Sequence, residues 1–438
     1  MKEEKLRRII RDEIESYTRK GLKIGDHSIY LRPTYIDMND GSLLNIGSIT
    51  PTSFSEKEAV YIIRKNGSYY EAVNGTTGEI DYSSTGSDAV LSYAVSNLTS
   101  GRTWIETVII KGNFPVTSEC TVPSYTRLIF DKVIVTSTIV GAAFFIDNVS
   151  YVELRINLLD CDSKSTHGIL LRDAFYVKVK AIVLDGDTNN VYLQDDCQWI
   201  DLDVVSMGLS TDYGIRMYVV NSTNGYIRDV HCKAQITGTD FYGLWIGHYD
   251  ASYPLPDNIH LDVIIDNTQL IGCGISGKVT GRITCFNCPN QDGIEIFDGV
   301  FNLMLTSDYN GTTYGHDNII LGPDSGTQHI RGTFQIMSTR SGRRGIMIQN
   351  LAAYSCVEIH GVVYDNTNEG VELNNCSDVI VRVSAISNEY GVRETGTANY
   401  NVIIGCTLRD NTTSNLTVLG ANTLYQTATD NDPLNIAP

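Results

Sequence analysis

Asp203, Asp229 and Asp262 each precede an apolar residue (Val204, Val230, Val263) in short alternating runs, and His260 shares the run of Asp262. Successive side chains of a strand face opposite ways, so an inward valine sets its aspartate outward. Strands stacked in rungs lie ~4.8 Å apart. Glycoside hydrolysis uses two carboxyl groups ~5 Å apart with retention, or ~6.5–9.5 Å apart with inversion. Asp203 with Asp229 on the next rung, or with Asp262 on an alternate rung, is therefore an admissible acid and base. Stacked carboxylates also raise one another's pKa, as a general acid at neutral pH requires. The same oxygens suit a solvated acidic face in a chain of net charge −18, or a divalent cation site.

A second stripe reads Leu170, Tyr192, Arg216 with Tyr218, Trp245, Ser276, Glu295 with Phe297, Ile320, Met347 and Glu372. Its aromatic part, Tyr192 to Phe297, could stack sugar rings while Arg216 and Glu295 hydrogen-bond hydroxyls or carboxylates. An outward apolar row equally suits a subunit interface. His248, Asp250 and Tyr253 lie in a longer insert after Trp245, either a binding wall or a plain loop. Cys285-Phe-Asn-Cys288 has the spacing of half a zinc site, but a second Cys/His pair at matching spacing is missing. No metal and no cofactor is expected.

These stripes exist only if the chain is a coil. A Gly or Asn followed by an alternating apolar run returns at Gly168, Asn190, Gly214, Gly243, Gly274, Gly293, Asn318, Gly345, Gly370 and Gly391, at spacings of 19 to 31 residues. After each comes an Asn/Asp/Ser-rich turn and a second run, such as Ile200-Asp-Leu202-Asp-Val204 or Ile259-His-Leu261-Asp-Val263. Such short strands cannot each bury a face alone and must stack, which is the logic of a solenoid. Parallel crossovers are overwhelmingly right-handed. The expected fold is all-β: a right-handed single-stranded parallel β-helix of about a dozen coils. A propeller needs roughly 40–50 residues per period, too many for these spacings.

Composition agrees, with 19% charged and 42% hydrophobic residues, 38 Gly and 25 Tyr. The net charge of −18, without a Lys/Arg stripe, opposes nucleic acid. The N-terminus lacks the apolar core of a secretory signal, and no run of 18 or more apolar residues occurs, so membrane insertion is not expected. Cys161, Cys197, Cys232, Cys356, Cys376 and Cys406 recur near matching points of the repeat, as reduced thiols filling a column would. Leu6, Ile9, Ile10, Ile14 and Tyr17 predict an amphipathic helix within 1–24, packed on its own subunit or in a bundle of copies. A small β-rich region spans 25–84, with a hairpin at Asn66-Gly67. The coil is expected over 85–425, with a cap helix at 85–104, and a tail over 426–438.

The segment Ser87 to Leu128 resembles the opening of pectin-lyase-like β-helices, particularly viral tailspike modules. It runs from Asp88-Ala89 through Ala94, Asn97, a turn at Gly101, Val108-Ile109-Ile110 and Lys111-Gly112-Asn113-Phe114 to Val122-Pro123-Ser124. The resemblance implies that the short helix caps the open end of the coil, that the partner is a polysaccharide, and that three copies assemble as a homotrimer. It places the protein on a virion or cell exterior; the N-terminus without a conventional signal peptide leaves the cytoplasm as the other expectation. A lyase-like basic pair beside Pro is absent. Gln194-Asp195-Asp196 and Thr166-His167-Gly168 stand in the reverse of the polygalacturonase-like order. The resulting expectation is a tailspike-like protein that binds a surface polysaccharide and, if an enzyme, hydrolyses it. The alternative is a non-enzymatic fibre or attachment protein.

Overall fold

A computed structural model describes residues 22–24, 27–29, 59–208, 212–220, 225–248, 253–311, 315–323 and 328–427. The chain divides into two compact units, Met1–Phe54 and Ser55–Pro438. In the first, the strands Leu22–Ile24 and His27–Ile29 pair antiparallel. The rest of the expected helix over 1–24 lies outside the described residues, as does the tail from 428.

The second unit is a parallel β-helix of about 12 turns. One inward column runs Val108, Leu128, Leu154, Val179, Leu202, Cys232, Leu261, each residue in register with the next. A second runs Phe144, Ile169, Val191, Ile215, Leu244, Cys273, Ile294. All of these side chains are buried in one continuous core. Each apolar residue thus stacks on its counterpart one rung away, and neither sheet needs another layer to cover its inner face.

The recurring glycine follows from that stacking. A Cβ at Gly243 would lie 2.7 Å from the Gly272 carbonyl oxygen, and one at Gly272 would lie 2.5 Å from that of Gly293. This places the fifth repeat at Gly272-Cys273 and not at Gly274, which instead faces Trp245. Ser276 accordingly stands outside the row of Trp245, Gly274 and Glu295, two positions further along the same face. A slip of two residues keeps every side chain on its own face, so alternation alone cannot detect it.

The helix Ser87–Ser96 buries Val90, Leu91 and Ala94 in the core of the first coil. The hairpin turns at Gly67, where Asn66 pairs with Tyr69. Its first strand, Tyr61–Asn66, pairs in parallel with Glu106–Val116, so this part of region 25–84 belongs to the coil's own sheet. The cysteines do not form one column. Cys232 stacks between Leu202 and Leu261, Cys197 pairs with Ala174 and Ile227, and Cys356 is exposed.

Candidate functional site

A cleft of about 680 Å³ lies on the outer face of the coil near its N-terminal end, against the strands holding Val152, Val179 and Asp203. One wall is an aromatic ladder. Tyr125, Tyr151, Tyr176 and Trp199 each sit just before the first inward residue of successive rungs, with φ of 57°, 61°, 54° and 55°. Their ring centroids are 4.9, 4.7 and 4.5 Å apart, with planes within 18° of parallel. Left-handed backbone is costly for bulky residues, of order 1–3 kcal/mol each, so four in succession mark a corner that the surrounding packing enforces. The Arg228 guanidinium caps the far face of Trp199 at 5.6 Å. Tyr151, Tyr176 and Trp199 remain 40–42% exposed.

Two outward columns form the rest of the cleft. Nearest the ladder, Arg127, Glu153, Lys178 and Asp201 stand in register, and the column continues to His231 and His260. Two residues further along each strand, Arg155, Lys180 and Asp203 continue to Lys233, Asp262 and Arg282. Burial pushes the Glu153 carboxyl up, but the flanking Arg127 and Arg155 guanidiniums outweigh it and hold it below its ordinary value. Asp203 pairs with Lys180 at 3.2 Å and Asp201 meets His231 Nδ1 at 3.3 Å. Lys178 makes no ion pair among the described residues. The spacing of four residues from ladder to outer column makes the groove ~13 Å wide, enough for one extended chain lying along the axis.

Asp203 and Asp262 face outward, as alternation requires, with Leu202, Val204, Leu261 and Val263 buried. They stand on alternate rungs, ~9.6 Å apart by rung spacing. Lys233 lies between them, and Arg282 holds Asp262 at 2.9 Å. Asp229 is elsewhere. It continues the left-handed corner after Trp199 (φ 54°) and accepts a hydrogen bond from Asn258 Nδ2 at 2.5 Å. Alternation misplaced it because a left-handed corner interrupts the period of two between Asp229 and Val230. The pair Asp203 and Asp229 is therefore not assembled, whereas Asp201 and Asp203 are outward neighbours ~6.6 Å apart along one strand.

The second stripe is real but largely covered. Tyr192, Arg216, Trp245, Gly274 and Glu295 form one row in register. Phe297 lies 5.9 Å from Trp245, and Tyr218 lies 6.5 Å from it on the other side. Arg216 is packed over the rings of Tyr192, Tyr213 and Tyr218, at 5.3, 4.7 and 4.3 Å. Tyr192 is left only 6% exposed, so it offers no ring face to a ligand, and Leu170, Ile320 and Met347 are also buried. The reason is local: long side chains one rung apart cover one another. Tyr242 Oη donates to Glu295 at 3.5 Å, and His248 closes its strand opposite Val219. Burial, then the Arg216 charge, depress His167 to about 4, so this imidazole is neutral at pH 7.

Beside this row is a buried ion network. Asp317, with a fully buried side chain, receives Arg343 at 2.6 Å and Arg344 at 3.2 Å. Arg344 also meets Glu369 and Glu372. Burial and the Asp317 charge raise the Asp292 carboxyl to about 6. Among the described residues, no group of three or more His, Cys, Asp or Glu is arranged to hold a metal ion.

Sequence reading passed over Tyr151, Tyr176 and Trp199. Their signal was present: with Tyr125 they recur at spacings of 26, 25 and 23 residues, each just before an inward position.

No protein-family model and no curated protein matches the chain. Two solved structures resemble it in coil architecture. The Azotobacter vinelandii mannuronan C-5 epimerase AlgE6 A-module is 12% identical with a TM-score of 0.48, covering 79% of this chain and 96% of that one. The Dettilon tailspike protein gp208 is 13% identical with a TM-score of 0.40, covering 77% of this chain and 64% of that one.

Proposed function

We propose that this β-helix binds carbohydrate, laying an extended polysaccharide along the groove between the aromatic ladder and the Arg155–Lys180–Asp203 column. The observation that carries this reading is the half-exposed ladder itself, running beside paired charges. A sugar chain presents apolar C–H patches and hydroxyl edges. Tyrosine and tryptophan rims offer apolar surface with a polar handle, and paired charges supply both donors and acceptors. A polyphosphate is disfavoured by the net charge of −18.

The test is titration calorimetry against a panel of surface polysaccharides. Trp199→Ala and Tyr176→Ala should each weaken binding by about tenfold or more, since a buried aromatic contact is worth on the order of 1–3 kcal/mol. Unchanged affinity in both variants would refute the groove.

Cleavage is the finer part of the proposal. Asp201 and Asp203 are ~6.6 Å apart along the strand backbone, a separation from which the carboxyl spacing of an inverting hydrolase can be built. New reducing ends on incubation with a bound polysaccharide, abolished by Asp203→Asn, would support hydrolysis, while products absorbing in the ultraviolet would indicate elimination instead. One observation favours binding without cleavage: Asp201, Asp203 and Asp262 all have side-chain partners.

The proposal extends to a homotrimer on a virion or cell exterior. The apolar row first expected to drive assembly is buried within the chain. Met337 and Val362, 49% and 42% exposed and in register on adjacent rungs of the later coils, are the apolar surface a second copy would cover. Light scattering of the full chain tests this, and a monomer at micromolar concentration would overturn it.

A further inference from the structure

We propose that Cys285 and Cys288 form a modification site, a dithiol that a small disulfide of the glutathione class converts to an intrachain disulfide. The strand Ile271–Phe286 ends one residue after Cys285, and Asn287 then turns left-handed (φ 57°). That corner brings Cys288 Sγ to 3.4 Å from Cys285 Sγ, with both thiols fully buried. No other two thiols are in contact among the described residues.

The pair packs against Gly272, with Cys285 in the slot that Ile236 and Ile265 fill beside Gly214 and Gly243. A Cβ on Gly272 would lie 2.1 Å from Cys285 Sγ and 3.1 Å from Cys288 Sγ, so any side chain there would evict the pair. The two sulfurs also differ. Cys288 Sγ accepts the Thr268 hydroxyl at 2.7 Å. Burial pushes both thiols up; for Cys288 the hydrogen bonds from Cys285 and Thr268 prevail and lower it, whereas Cys285 stays raised. The hydroxyl that Thr268 donates would stabilise a thiolate at Cys288, which makes Cys288 the attacking sulfur and Cys285 the resolving thiol. Both sulfurs are buried, so the exchange proceeds through transient opening of the corner between exposed Asn287 and half-buried Pro289.

In the first step the Cys288 thiolate attacks one sulfur of the small disulfide. An S–S bond forms to Cys288 and the original S–S bond breaks, expelling one thiolate. Cys285 then gives up its proton and attacks Cys288 Sγ, expelling the second. The protein dithiol is oxidised, one disulfide is reduced to two thiols, and the two protons end on those thiols. The product staples the corner leading into Asp292 and Glu295.

The reduced full-length protein is incubated with oxidised glutathione in native buffer, then alkylated under denaturing conditions and mapped by mass. The expected result is the loss of two hydrogens in the segment containing Cys285 and Cys288, two fewer alkylatable thiols, and reversal by dithiothreitol. Cys285→Ser, checked for β-type circular dichroism, should retain glutathione as a mixed disulfide on Cys288. If that variant does not fold, the wild-type map decides alone. Full alkylation of both cysteines after treatment, or oxidation confined to the exposed Cys356 and half-buried Cys120, would overturn the proposal.

Discussion

At Asp292, burial and the charge of Asp317 raise the carboxyl from 3.8 to about 6, although His316 and Arg343 pull the other way. A raised acid favours the folded state most when it is protonated. Its contribution is complete below pH 4, declines between pH 4 and 6, and is absent above. At pH 7 the ionised form costs on the order of 2–3 kcal/mol by linkage. Asp292→Asn keeps an oxygen to accept the Asp317 N–H, seen at 2.6 Å. Denaturant unfolding should show the variant more stable than the wild type by about 1–2 kcal/mol at pH 7.5, with the difference vanishing at pH 4. An equal effect at both values would mean the carboxyl is not the cause. The groove aspartate contrasts with it. Asp203 is half exposed and paired with an exposed lysine, so Asp203→Asn should change stability by less than about 1 kcal/mol.

At the scale of the element, some glycines are held by sterics and others by conformation. Gly361 has φ 145°, and a Cβ there would fall 1.7 Å from the Ile336 carbonyl oxygen on the preceding rung. Backbone cannot yield as a side-chain tip would. Gly361→Ala should lower unfolding stability by about 3 kcal/mol or more, since it combines strain with a forced rung separation. Gly405 has φ 64° and open space around it, so Gly405→Asn should cost well under 1 kcal/mol. Thermal melts of the two variants side by side separate the causes. The aromatic corner is a third case, in which ring stacking at 4.5–4.9 Å offsets part of the left-handed strain.

For the whole molecule, the boundary between units at residues 54 and 55 predicts that the coil folds without what precedes it. A chain beginning at residue 55 should keep its β-type circular dichroism and melt within a few degrees of the full chain. Extending the deletion to residue 104 removes the hairpin and the helix Ser87–Ser96, uncovering Val108 and Ile110 at an open sheet edge. That product should aggregate, because an uncapped solenoid end exposes both apolar surface and unpaired strand. A soluble, monodisperse product of the longer deletion would contradict the capping role.

The coil was legible in the sequence because its cause is local. Alternation decides which residues face inward, and a glycine is needed wherever one rung's backbone crowds the next. The outward placement of Asp203 and Asp262 was equally plain. What stacks on what was not, since coils of 19 to 31 residues differ in their corners and only pairing sets the register. Tertiary structure alone decided that Lys233 stands between Asp203 and Asp262, that Asp229 belongs to a left-handed corner, and that Gly272 is the repeat glycine. It also decided that Tyr192 is covered by Arg216 while Tyr151, Tyr176 and Trp199 line a cleft. The physical reason is that facing depends on a residue's immediate neighbours, whereas a site depends on side chains about 25 positions apart, brought within one rung by corners whose conformation the apolar pattern does not encode.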